Sequence, residues 1–343
     1  MLVTTTSVTE SWGISLYKGA NTDSVAVVSQ YSKTPAEPLR DLPGADAHAS
    51  LRSLDDSNYI LHAWAAILLL CAIDWAWAAH AGLHFGGLRP GVKGVAVFAA
   101  LGFLIAYTRR LDQVAEASQY CALWFAFAVS LVIYSYVVAT MRMPLWDARF
   151  DHADVALGFN WSAGYDWIMS SSWLTRWLLE HAYNSMMLQV FASIGFFAVI
   201  GRSDRNRELL WIGMVSILIS VTLSGPFPAL GPFGKDGMPQ WSAVLVTIRD
   251  GSVTQFTLDH LQGIVAFPSC HALMALLLIY VHRPPMKTFV PVAIVNALML
   301  IATPFAGHHY LVDMIAGAAV LAISIPVVNA AMRPRSLAGL EAV

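Results

Sequence analysis

The chain has 343 residues, 57% of them hydrophobic and only 12% charged, with a formal net charge of −2 and a mean hydropathy of +0.58. Soluble domains carry roughly 25% charged residues, so much of this surface faces something other than water. No basic run suits nucleic acid, and Cys71, Cys121 and Cys270 show no CxxC or zinc-type spacing, which excludes a disulfide framework and a thiolate metal site.

Residues 1–55 are rich in Ser, Thr, Asp and Pro and lack the apolar core of a signal peptide. They read as a flexible polar cytoplasmic tail, with a short helix near Leu51. Eight apolar stretches follow, near 59–79, 93–108, 119–140, 182–200, 207–226, 266–282, 288–305 and 309–331. A bilayer core about 30 Å thick takes roughly 17–25 residues of helix, and the second, sixth and seventh stretches are short by that measure. The expected fold is all-α: a polytopic membrane bundle of about eight transmembrane helices plus interfacial helices, with no sheet domain and no internal repeat. The blocks are the tail, N-terminal transmembrane helices at 56–141, a core at 142–332 and a short cytoplasmic tail at 333–343.

The short clusters Arg109-Arg110, Arg202 to Arg207 and Arg283 to Lys287 fall on one side of this topology. Positive residues favour the cytoplasm, so both termini are assigned there. Two long segments then lie outside. The first, about 143–180, holds Trp146, Trp161, Trp167, Trp173 and Trp177, five of the twelve tryptophans. It is expected along the outer interface as one or two amphipathic helices. The second, about 227–265, opens on a Gly- and Pro-rich run that ends the fifth span.

Ionisable groups inside a membrane domain cost about 2.5–3.5 kcal/mol each on insertion scales. Here they gather at one level. His271 enters the sixth span after Pro268 and Ser269, and His308 and His309 end the seventh. Asp313 follows His309 by four residues, which on a helix share a face. The carboxylate can orient one imidazole nitrogen and leave the other free as a nucleophile, and His271 can protonate a leaving oxygen as general acid. Pro268 suits a first helical turn, Ser269 can cap it, and the amides there attract a phosphate oxygen. The same spacings also suit polar pairs that satisfy themselves at the interface.

Phe267-Pro268-Ser269-Cys270-His271-Ala272 and Gly307-His308-His309-Tyr310-Leu311-Val312-Asp313-Met314-Ile315-Ala316-Gly317 resemble the second and third motifs of the type 2 phosphatidic acid phosphatase superfamily. The His-Tyr-x-x-Asp form, the Gly- and Pro-rich outer loop and Ile248-Arg249-Asp250-Gly251 are most similar to its inositol phosphorylceramide synthase-like branch, over roughly residues 140–331. The resemblance implies a six-helix phosphatase-like core, a metal-independent site at the extracytoplasmic face of a bacterial plasma membrane, no cofactor, and a phospholipid or lipid phosphate as substrate. It assigns His309 as nucleophile through a phosphohistidine, Asp313 as its orienter and His271 as acid; water as acceptor makes a phosphatase, an alcohol a phosphotransferase.

Cys270 replaces the usual glycine of Pro-Ser-Gly-His, the Ser-Arg pair that often opens the third motif falls on Ala302 and Thr303, and the first motif has no clear match. The phosphate still needs cations. Arg249 is the stronger candidate, because its guanidinium can hold two oxygens, followed by Lys235; either also suits an ordinary loop charge. His308, about 100° from His309 around a helix, is assigned to the phosphate rim with Ser269. Tyr183 and Asn184 either line the pocket or pack as helix residues. Asp74 is an interfacial anchor or a packing residue, and Asp147, Asp151 and Asp154 precede a stretch that shapes lipid access. His181 and His260 have no evident partner. No protein partner is evident. The competing readings are a transporter, disfavoured by the lack of corresponding broken spans, and a His-ligated haem or metal electron carrier, disfavoured because these histidines stand at helix ends.

Overall fold

A computed structural model describes residues 45–87, 94, 97, 100, 101, 104, 112–233, 237–257 and 262–332, with side chains from residue 58 onward. In chain order the described elements are α1 (Ala45–Ala81), β1 (His84–Gly86), α2 (Asp112–Ala139), α3 (Asp147–Ala156), α4 (Trp161–Ser170), α5 (Trp173–Asn184), α6 (Met186–Val199), α7 (Ser203–Ser224), α8 (Gln240–Asp250), β2 (Gln255–Thr257), α9 (Cys270–Val281), α10 (Phe289–Ala306) and α11 (Leu311–Ala331).

The molecule is an all-helical membrane bundle. Five helices are long and apolar enough to cross a bilayer: α1 from Asn58, α2, α7, α10 and α11. The pair α5 and α6 passes the same test together but bends by 57°. Among the described residues the spans thus number five, or six with the bent pair, against about eight expected. The expected span at 93–108 falls largely outside the described residues. The one at 266–282 is shorter than its apolar run, since α9 starts only at Cys270 and has 12 residues. Pro268 has no N–H to continue a helix backward, and the Ser269 hydroxyl accepts the Ala272 amide at 3.3 Å, fixing the N-terminus there.

Short as it is, α9 is the centre of the bundle. It packs against α6, α7, α10 and α11, and Leu273, Leu277, Leu278 and Val281 are wholly buried. Lipid tails are as apolar as leucine, so such helices associate through close packing and polar contacts rather than the hydrophobic effect. Close packing is visible at Gly317 of α11, where a Cβ would stand 2.5 Å from the Ser269 carbonyl oxygen. Polar contacts fasten the far end of α9, where Arg283 donates to both oxygens of Glu208 on α7, and buried His282 pairs with Ser193 and Thr288.

The Trp-rich segment forms three short helices, α3, α4 and α5, where one or two were expected. Trp167, Trp173 and Trp177 are exposed, as an interfacial role requires. Trp146 and Trp161 are turned inward instead. Strands β1 and β2 form a small parallel pair, His84–Gly86 on Gln255–Thr257, with the Phe256 ring against Tyr136 of α2 at 5.0 Å.

Candidate active site

The turn between α10 and α11 carries the histidine pair. Pro304 lies within α10, and its carbonyl accepts two donors, the His309 amide at 3.0 Å and the Trp161 indole N–H at 2.7 Å. Gly307 closes the helix, and His308 takes a left-handed φ of 54°, which swings the chain into α11. At Gly307 a Cβ would fall 2.7 Å from the His309 ring, 2.7 Å from the Tyr183 hydroxyl and 2.8 Å from the Thr303 carbonyl. The site is therefore packed around a missing side chain.

His309 and Asp313 come together, but across the turn that caps α11 rather than along one helix face, since α11 begins only at Leu311. Nδ1 of His309 lies 3.4 Å from Oδ2 of Asp313, with both side chains buried. That is an ion-pair separation, and neither Nδ1 nor the other carboxylate oxygen has a hydrogen-bond partner. Oδ2 already accepts the Tyr310 amide at 2.9 Å, which closes a capping box at the start of α11. Contacts of this kind in free enzymes are often long and tighten on substrate.

His271 sits one residue inside α9, its ring stacked on Tyr183 at 4.0 Å and 16°. His271, His309, Tyr183, Cys270 and Gly307 line one cavity of about 400 Å³. The stacking fixes the plane of the His271 imidazole. Sequence reasoning gave Tyr183 two roles, and the structure selects pocket lining; Asn184, the next residue, is exposed.

The other expected residues stand elsewhere. The Ser269 hydroxyl is committed to its cap, while its amide donates to the Asp313 carbonyl at 3.0 Å, tying the two motifs together. The His308 ring meets the Pro232 carbonyl at 3.0 Å and lies beside Trp161 and Tyr165, turned from the cavity that His309 lines. Arg249 donates to the Met143 carbonyl at 2.6 Å, and burial, then neighbouring Arg142, lower its pKa without discharging it. It does not line the histidine cavity, although Ser135 borders both that cavity and the crevice at Arg249. Lys235 and His260 lie outside the described residues. None of the described residues lining the cavity is Lys or Arg. Asp74 is a buried packing residue that accepts the Ser130 hydroxyl at 2.7 Å between α1 and α2. His181 stacks on Trp177 of its own helix. Among the described residues no three His, Cys, Asp or Glu side chains gather as a metal site needs.

Two acidic residues have structural work that their sequence neighbourhood did not announce. Asp154 accepts the Leu311 and Val312 amides at 2.7 and 2.9 Å, capping α11 from a different helix. Burial raises its pKa against the opposing pull of these amides. Asp147 accepts the Leu230 and Gly231 amides and the Tyr310 hydroxyl, latching the Gly- and Pro-rich loop to the start of α11. With Asp151 it lines a second groove of about 750 Å³ that shares no lining residue with the histidine cavity.

Neither a curated protein nor a solved structure matches the chain. A family model does, the PAP2 superfamily, over residues 148–327. That span covers more than half of the chain and contains His271, Ser269, His309 and Asp313. With this match over a helical bundle of apolar spans, the chain belongs to the PAP2 superfamily, whose members are generally phosphatases.

Proposed function

We propose that the protein is a phosphatase or phosphotransferase of lipid phosphates that works through a phosphohistidine, with its site at the extracytoplasmic face of a bacterial inner membrane. The observation that carries this reading is that His271 and His309 line the same cavity, with Asp313 behind His309. Asp313 faces Nδ1, so Nε2 is the nitrogen left to attack phosphorus. As the N–P bond forms, the bond from phosphorus to the departing alkoxide breaks, and His271 delivers the proton that the alkoxide needs. Water or a second alcohol then attacks phosphorus, gives its proton back to His271 and frees His309. Transfer to an alcohol such as inositol is the finer form of the proposal and rests on the motif likeness to the inositol phosphorylceramide synthase-like branch. Arg249 and Lys235 remain the proposed outer cations, and Ser269 and His308 serve the phosphate by holding α9 and the 307–310 turn in place.

Rapid quenching of purified protein with a ³²P-labelled lipid phosphate tests the chemistry. A protein-bound label that is acid-labile and base-stable is expected, and it vanishes in His309→Ala. His271→Ala is expected to lose turnover of unactivated alkyl phosphates. Normal turnover by His309→Ala overturns the mechanism. Mass spectrometry of products, with and without added inositol, ceramide or diacylglycerol, separates free phosphate from a transferred headgroup.

A further inference from the structure

The histidine cavity has a long wall supplied by one face of α2. Trp124, Ala128, Leu131, Val132 and Ser135 line it, a set spaced as one stripe of a helix. From Trp124 to Ser135 the wall runs about three turns, roughly 16 Å, close to half of the ~30 Å hydrocarbon core. The polar lining includes His271, His309 and Ser135; the rest is mostly apolar and includes Phe127, Leu131, Ile217, Val221 and Met274.

Trp124 closes the far end. It is 3% exposed, and its ring seats against α7 at Gly213, where a Cβ would come within 2.6 Å of the indole. Ala128, one turn nearer the histidines, is the smallest side chain of the stripe and leaves the passage open.

We propose, building on the lipid-phosphate reading above, that this cavity takes one alkyl chain of the substrate and that Trp124 is the stop that gauges its length. A chain lying along the wall has room for roughly a dozen methylenes at C–C bonds of about 1.5 Å. The cavity's volume of about 400 Å³ admits one such chain, and a second chain stays in the bilayer. A tail that leaves lipid for this cavity exchanges one apolar surrounding for another, so little is gained per methylene. Misfit dominates instead: a chain that reaches Trp124 before its phosphate reaches His309 overpacks a closed wall. The length dependence is therefore a cutoff rather than a steady rise.

The test uses the full-length protein and single-chain alkyl phosphates shorter than, matching and longer than the cavity. The expected kcat/KM is level up to the cutoff and then drops by about 5- to 150-fold, the equivalent of ordinary overpacking. Trp124→Ala moves the cutoff to longer chains, and Ala128→Phe lowers the long-to-short ratio of kcat/KM. In parallel, His309→Ala protein is photolysed with an alkyl phosphate carrying a diazirine at its far end. Labels on Trp124, Phe127 or Met274 support the proposal, whereas labels confined to lipid-facing residues such as Leu68 and Val290 overturn it. Cavity labelling without turnover of any phosphate by the unmutated protein would retain the chain site and discard the reaction. Turnover with an unshifted cutoff in Trp124→Ala, and labels only on the lipid face, would retain the reaction and discard the gauge.

Discussion

Gly307 sits where three groups converge, and none of them can yield freely. The Thr303 carbonyl belongs to the last turn of α10, the His309 ring is buried and the Tyr183 hydroxyl abuts both the glycine and the cavity. Adding one methyl by Gly307→Ala is expected to displace the imidazole rather than the backbone. A displacement of about 1 Å at a reacting group can cost around 10²-fold, so kcat should fall by that order while the protein remains folded and α-helical by circular dichroism. Tyr183→Leu probes the other side of the site. It removes the ring stacked on His271 but keeps the apolar bulk, and a loss of about tenfold in kcat with KM little changed is expected. At this scale the sequence was legible where the relation was local. His309 and Asp313 are four residues apart, and the capped turn that leads into α11 brings them together, with His309 itself outside the helix. Tyr183 and His271 are far apart in the chain, and nothing in either neighbourhood announces the stack, which the tertiary packing of the bundle creates.

The elements show a division of labour that composition did not reveal. Helix α3 looked like part of an interfacial platform, yet its carboxylates brace the turn that carries His309. Asp154 supplies two amide partners to the start of α11, and its neighbour Phe150 stacks on Phe267 at 4.6 Å, just before the first histidine motif. Loss of a cap costs about 1–2 kcal/mol, so Asp154→Ala should lower the melting temperature by a few degrees. Activity should fall with it, because Asp313 belongs to the same first turn. Asp154→Asn keeps one acceptor and is expected to recover part of both. Trp161 acts similarly from α4, through the Pro304 carbonyl it shares with His309. Trp167, Trp173 and Trp177 are exposed while Trp146 and Trp161 turn inward, so a tryptophan count does not separate the outward-facing rings from those that face protein. The start of α9 was legible in outline, since Pro268 and Ser269 are helix-start residues; that the helix would be only 12 residues long follows from its burial among four neighbours.

Across the whole molecule, the long apolar spans were the clearest message of the sequence, because a bilayer imposes a length that can be counted. Orientation is a matter for experiment. With Cys71, Cys121 and Cys270 replaced by serine, Ser162→Cys in the second groove is expected to react with a membrane-impermeant maleimide on intact cells. Lys287→Cys, in the short basic loop between α9 and α10, should react only after permeabilisation; the reverse pattern would invert the topology. What could not be read was the participation of α2. Its residues lie ahead of the 148–327 family match and upstream of both histidine motifs, and its apolar face is indistinguishable by composition from one that meets lipid. Six of its side chains nevertheless line the cavity of His271 and His309. The consequence is a separation of authorship within one site. The groups proposed to break and make bonds are inscribed in one stretch of chain, and the wall proposed to meet the rest of the substrate in another. Changes in α2 can redraw the range of accepted lipids while leaving the chemistry untouched, and an α2 grafted from another member onto this core offers a direct route to altering what it accepts.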